Sequence, residues 1–226
     1  MDFKPVLLVA ALLTVPFAVH AGQKPFKALA YDPPDAWQGF YAGVNGGYGW
    51  GHSNQHDTPL APALILLDGN YHVDGWFVGG TLGYNRQFSN WLFGLEGGYA
   101  WSDIKGSSLT CGGANECGTK LRSFGTLRGR IGPLFGPTLL YATAGAAFGD
   151  IYAFDTSASG ANGSKWRTGW TVGGGIEQKL TDHWSAKIEY LYMDFGTTDY
   201  FTIPNHTPEE ISLKANVIRG GINYRF

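Results

Sequence analysis

Trp91-Leu92-Phe93-Gly94-Leu95-Glu96-Gly97-Gly98-Tyr99-Ala100-Trp101 sets large apolar side chains at alternate positions. In an extended chain Trp91, Phe93, Leu95, Tyr99 and Trp101 share one side, and Gly94, Glu96 and Gly98 share the other. Successive side chains of a β-strand point to opposite faces, so this segment is a strand between two unlike environments. One face is greasy and carries an indole at each end; the other is small and charged. At 11 residues it has the length, roughly 9–11, that a tilted strand needs to cross a bilayer.

Seven further segments repeat this pattern: Gly39–Gly51, Gly75–Gln87, Lys120–Gly132, Thr138–Gly149, Arg167–Leu180, Trp184–Phe195 and Ile211–Phe226. Trp76, Val78, Leu82 and Tyr84 oppose Gly79, Thr81, Gly83 and Asn85; Trp170, Val172 and Ile176 oppose Thr171, Gly173, Gly175, Glu177 and Lys179. Trp184, Ala186, Ile188 and Tyr190 oppose Lys187 and Glu189; Ile218, Ile222, Tyr224 and Phe226 oppose Arg219, Asn223 and Arg225. The fifth segment (Leu139, Leu140, Tyr141, Ala142) does not declare its phase.

The links between segments alternate strictly. His52–Asp74, Ser102–Thr119, Asp150–Trp166 and Gly196–Glu210 are long; Phe88–Asn90, Pro133–Pro137 and Thr181–His183 are short. In an up-and-down meander this sorts all long loops to one end, as in outer-membrane barrels with short periplasmic turns and long extracellular loops. The expected fold is therefore all-β, an eight-stranded antiparallel up-and-down transmembrane β-barrel.

Three features put the apolar face outward. Aromatics gather at both of its ends: Trp50, Trp76, Trp101 and Trp170 near the long loops, and Phe40, Trp91, Trp184, Tyr224 and Phe226 near the short turns. Such paired girdles flank the lipid-facing band of membrane barrels. The opposite face is rich in Gly, Ser and Thr, and its charges come in both signs, as a closed interior requires. Arg86 and Lys214 fall on the lipid phase near strand ends, where long cations can snorkel. Asn216 on that phase has no partner legible in the sequence.

The N-terminus reads as an export signal. Lys4 precedes an apolar stretch from Val6 to Val19, and Val19-His20-Ala21 suits cleavage before Gly22. Pro16 and the short span argue against a membrane helix. The expected organisation is a signal peptide over 1–21, a proline-bearing periplasmic leader over 22–36 and a barrel over 37–226. With 34 Gly, 15% aromatic and only 15% charged residues, against about 25% in a soluble domain, the composition agrees. A net charge of -2 offers nothing to nucleic acid. Cys111 and Cys117 are expected to form a local disulfide in the second long loop, since no further thiol or imidazole stands nearby at metal-ligand spacing.

Trp37-Gln38-Gly39-Phe40-Tyr41-Ala42-Gly43-Val44-Asn45-Gly46-Gly47-Tyr48-Gly49 resembles the opening strand of the small alphaproteobacterial outer-membrane immunogenic proteins, within the OmpA-like transmembrane-barrel superfamily. Leu127-Arg128-Gly129-Arg130-Ile131-Gly132 and Val217-Ile218-Arg219-Gly220-Gly221-Ile222-Asn223-Tyr224-Arg225-Phe226 are similar to its fourth and last strands. The resemblance implies insertion into the outer membrane of a Gram-negative bacterium by the barrel-assembly machinery, with Phe226 in the sorting signal. It also implies contact with outer-membrane lipid and lipopolysaccharide, and an envelope-structural or surface-antigen role; some relatives bind haemin.

Glu96, Arg128, Arg130, Glu177, Lys179, Lys187, Glu189 and Arg219 all lie on the inward phase. They could form a gate with limited porin-like permeability or a salt-bridged plug. An eight-stranded interior is only wide enough for side chains to fill, which favours the plug. His52, His56 and His72 with Asp57, Asp68 and Asp74, and His206 beside Glu209 and Glu210, offer an alternative haem or metal receptor on the loops. Solvated loop histidines need no ligand, so no cofactor or metal is expected. Ser102, Asp103 and His52 could be drawn as a hydrolytic triad, but no spacing selects them, and an enzyme is not expected.

Overall fold

The computed structural model describes residues 36–57, 69–108, 117–155, 162–200 and 209–226. Eight strands follow in order: β1 Gly39–Asp57, β2 Gly69–Phe88, β3 Trp91–Ser108, β4 Cys117–Phe135, β5 Thr138–Asp155, β6 Asn162–Lys179, β7 Trp184–Tyr200 and β8 Glu209–Arg225. Each pairs antiparallel with the next, and β8 pairs with β1, closing a barrel. Closure pairs the strand edges around the lower barrel, a condition any sheet must meet in lipid, while above Trp170 and Asp194 β6 and β7 no longer pair.

The short links are tight turns at the end where both termini of the barrel lie. Ser89 (φ 55°) turns β2 into β3, and Gly136 (φ 60°) beside Pro137 turns β4 into β5. Before β7 the Thr181 hydroxyl accepts from the Trp184 amide at 3.1 Å. The Phe226 amide donates to the Phe40 carbonyl at 3.0 Å, joining the last residue to the first strand.

At the opposite end the strands outrun the sequence expectation. β1 continues from Gly51 to Asp57, β2 starts at Gly69 instead of Gly75, and β3 runs to Ser108. β4 starts at Cys117, β5 reaches Asp155, β6 starts at Asn162, β7 reaches Tyr200 and β8 starts at Glu209. Much of each expected long loop is therefore barrel wall, and His52 and His72 sit on paired strands.

The physical reason is an inversion of amphipathicity. Below the upper indoles the outward positions are apolar and the inward ones small or charged. Above them the outward positions become His72, Asp74, Asp103, Lys105, Lys120, Arg122 and Lys214, while Tyr71, Val73, Ile104, Leu121, Ile151, Ala153 and Leu213 turn inward and are buried. At 17–20 residues the strands are nearly twice as long as a bilayer crossing needs. The inversion marks where lipid gives way to water: the upper wall faces solvent outside and carries its own apolar core inside. Register shifts on β3 (Trp101/Ile104), β4 (Leu121/Ser123) and β7 (Asp194/Thr197) fall at this boundary. On β4 the irregularity turns both Ser123 and Phe124 inward and so switches the phase.

The interior is layered. An upper cluster includes Phe77, Phe124, Ile104, Leu121, Leu191, Met193, Phe195 and Val217. A lower cluster joins Trp37, Leu92, Leu134, Leu139 and Tyr141. Trp37 plugs the periplasmic mouth: its ring lies 4.8 Å from the Arg225 guanidinium, and its amide donates to Gln87 Oε1 at 3.2 Å. Leu139 and Tyr141 inward with Leu140 outward give β5 the phase its sequence withheld. Asn216 meets a partner, accepting from the Tyr190 hydroxyl at 2.6 Å.

The expected signal peptide 1–21, residues 22–35 of the expected periplasmic leader, Asp68, Cys111 and His206 lie outside the described residues, as do the side chains of His56 and Cys117.

Candidate functional site

Between the two apolar clusters lies a charged layer built from inward positions around the barrel. Three of its opposite-charge pairs are direct cross-strand neighbours: Glu96 opposite Arg128, Glu177 opposite Lys187, and Glu189 opposite Arg219. Their shared inward phase follows from alternation, and their shared height follows from the register.

Glu96 is the hub. Its carboxylate pairs with Arg128, receives the Lys187 ammonium at 2.7 Å and Arg219 Nη2 at 3.0 Å, and lies 3.9 Å from Arg130 Nη1. The Tyr41 hydroxyl donates to it at 2.8 Å. Glu189 accepts from Arg128 Nη1 at 3.0 Å, Arg219 Nε at 2.6 Å and the Tyr141 hydroxyl at 3.1 Å. Glu177 accepts from Arg130 Nη1 at 2.8 Å, Asn223 Nδ2 at 2.9 Å and the Ser185 hydroxyl at 2.5 Å. Arg130 Nε donates to Asn85 Oδ1 at 3.0 Å, and its guanidinium lies 4.6 Å from the Tyr41 ring. All seven charged side chains are at most 3% exposed.

Isolated buried charges are costly, so a layer of this kind persists only when its members are paired and hydrogen-bonded. Here every carboxylate accepts from at least one guanidinium. Each also accepts from a hydroxyl, that of Tyr41, Tyr141 or Ser185. The arrangement can brace the barrel across its diameter.

Of the eight expected interior charges, seven meet in this layer. Lys179 lies nearer the periplasmic turn, half-buried, its backbone opposite Ser185. Tyr41, Asn85, Tyr141, Ser185 and Asn223 complete the layer. Alternation puts Tyr41 inward beside the outward Phe40, a signal hidden because Tyr also suits the lipid interface.

The girdle residues Trp50, Trp76, Trp101, Trp170, Phe40, Trp91, Trp184, Tyr224 and Phe226 all face outward, and Trp166 adds a further exposed indole near the upper ring. The His52 and His72 rings face outward 4.2 Å apart, and His56 stands opposite Glu210 in the β1–β8 register. Among the described residues no group of three or more His, Cys, Asp or Glu is placed to hold a metal. Ser102 Oγ accepts from the Ile104 amide at 3.1 Å and Asp103 binds two lysines, so both serve the local wall.

The family model described as outer membrane protein beta-barrel domain matches residues 7–226. The chain is 32% identical over 233 residues to the 25 kDa outer-membrane immunogenic protein of Brucella abortus, covering 99% of this chain and 98% of that one. It is 33% identical over 168 residues to the 22 kDa outer membrane protein of Rhizobium leguminosarum, covering 74% and 69%. In fold it is similar to the outer membrane protein OprG of Pseudomonas aeruginosa, with a TM-score of 0.50 at 16% identity over 84% of this chain and 97% of that one.

Proposed function

The chain belongs to the outer membrane protein β-barrel family of Gram-negative bacteria, and from that premise we propose that it is a sealed, non-enzymatic envelope barrel displayed at the surface. The observation that carries this reading is the stacking of the interior. The charged layer is capped above and below by buried apolar side chains, from Phe77, Ile104 and Phe124 at one end to Trp37, Leu92 and Leu139 at the other. A conducting barrel needs a continuous polar path, and eight strands leave room only for side chains.

The surface role fits relatives whose names call them immunogenic. The water-facing wall above the upper indoles, with its loops, is the part offered to the outside. Export through the signal peptide 1–21, assembly through the terminal strand ending in Phe226, and a Cys111–Cys117 bond belong to the same reading.

Planar-bilayer recording tests it. The refolded chain is expected to give no steady single-channel conductance; stable unitary steps from the wild type would overturn the sealed-barrel assignment.

A further inference from the structure

The buried charges of this barrel do not sum to zero. Among the described residues, the buried side chains include six cations, Arg128, Arg130, Arg167, Lys187, Arg219 and Arg225, and three carboxylates, Glu96, Glu177 and Glu189. Arg167 and Arg225 donate to the main-chain carbonyls of Gly196 and Ala36, which carry no charge. The layer itself holds four cations to three carboxylates. A surplus charge sealed away from water is strongly unfavourable unless a counter-charge joins it.

A place for that counter-charge lies just above Glu96, between the charged layer and the upper apolar cluster. Thr81 and Thr126 flank Gly98 in the β2–β3–β4 register. Both lean over it: a Cβ built at Gly98 would lie 3.2 Å from Thr81 Cγ2 and 3.4 Å from Thr126 Oγ1. Arg128 is the next inward residue of β4 below Thr126. Asn45 is the next inward residue of β1 above Gly43, which pairs with Thr81. Phe77 and Phe124, their rings 5.2 Å apart, lie above. Four donors here have no hydrogen-bond partner among the described residues: Thr81 Oγ1, Thr126 Oγ1, Asn45 Nδ2 and Arg128 Nε. Their residues are at most 6% exposed. Arg128 gives Nη1 to Glu189 and Nη2 to Glu96, so Nε is the donor it has left. Asn45 Oδ1 is also without a partner, one acceptor beside four donors.

We propose that Thr81, Thr126, Asn45 and Arg128 hold one small monovalent anion, chloride where chloride is abundant, as the missing charge of the interior. The surplus of one in the layer sets the valence. Two hydroxyls, an amide and a guanidinium N–H set the sign, since all four donate and hydrogen bonds to an ion are the stronger kind. Water satisfies such donors but brings no charge. Closed by phenyl rings above and by the charged layer below, the site suits a bare ion and not an organic anion. The readout is stability against chloride, which does not depend on whether the barrel conducts.

The full chain is refolded into lipid vesicles in sodium chloride or in sodium gluconate of equal ionic strength, so that the ion can enter as the barrel closes, and is then unfolded in urea. The wild-type unfolding constant is expected to fall by up to about tenfold for each tenfold rise in chloride, the limit for a single site, and to stay flat in gluconate. Lys187→Met balances the layer at three and three, and T81V/T126V removes both hydroxyls with little change of shape. Each should flatten the chloride dependence, whereas T81S/T126S should keep it. Folding of every variant is checked by its heat-dependent gel shift, and T81V/T126V decides alone if Lys187→Met does not insert. A wild type that responds alike to both salts overturns the proposal; the pocket would then hold water only, with Lys187 uncharged. A chloride response that survives in either folded loss variant overturns it as well, because the ion would then bind elsewhere.

Discussion

Replacing Glu96 by Gln preserves the side chain's shape and removes its charge, and so tests what the interior layer contributes. In the native layer Arg128, Arg130, Lys187 and Arg219 face Glu96, Glu177 and Glu189, four cations to three carboxylates. The substitution would leave four to two, at the hub where three of those cations make close approaches. Removing one partner from a buried pair costs about 3–5 kcal/mol. Native stabilities run about 5–15 kcal/mol, so the variant should still fold while losing a large share of its margin. Lys187→Met shifts the balance the other way, to three and three, and leaves Glu96 with Arg128 and Arg219. Its cost should be smaller, about 1–3 kcal/mol. The double variant should fall short of the summed losses by about 0.5–3 kcal/mol, because the two groups touch. Urea unfolding of the lipid-reconstituted chain, followed by tryptophan fluorescence and heat-dependent gel migration, measures all three. A Glu96→Gln loss below about 1 kcal/mol, or a Lys187→Met loss equal to it, would refute the charge-balance reasoning.

Trp37→Ala empties the periplasmic plug and should cost about 3–5 kcal/mol in the same unfolding assay, with Arg225 losing its aromatic cover; an unchanged unfolding midpoint would show that the indole seals nothing. Hydrogen bonds from Lys105 and Lys120 hold the Asp103 carboxyl below its ordinary value. Because the folded pKa is depressed, the bridge is fully present above the unfolded value, about 3.9, and disappears only as pH falls through the lower folded one. Carbon-13 titration should place the Asp103 midpoint below about 3.9, and replacing both lysines by Met should return it there; a midpoint at or above that value in the wild type contradicts the geometry.

The membrane-spanning half was legible because lipid imposes one simple pattern. Phe93, Leu95 and Tyr99 had to alternate with Gly94, Glu96 and Gly98, and the same rule aligned Glu177, Lys187, Glu189 and Arg219 on one inner face. The upper wall was not legible for the same reason. Past Trp76 the outward residues turn to Asp74 and His72 while Val73 and Tyr71 go inward, so the pattern reverses phase without losing its period. A search for an apolar outer face alone takes that reversal for a loop. This is why His52 and His72 are expected on a flexible segment and lie instead on paired strands. The apolar caps are hidden in a similar way. Ile104, Leu121 and Leu213 belong to no lipid-facing run, and only closure of the barrel brings them together. Trp37 precedes the first strand, where no alternation assigns it a side; the fold alone turns it inward.

Which medium touches each side of β3 decides between a membrane barrel and anything else. Single nitroxide labels at positions 93 to 101 of a cysteine-free chain in lipid vesicles report this directly, through collision with oxygen, which partitions into acyl chains, and with a water-soluble nickel chelate. Labels at Phe93, Leu95, Gly97 and Tyr99 should be reached by oxygen, and those at Gly94, Glu96, Gly98 and Ala100 by neither reagent. Nickel collisions at the even positions would mean an open aqueous lumen, and accessibility without alternation would mean that this face does not line a bilayer at all.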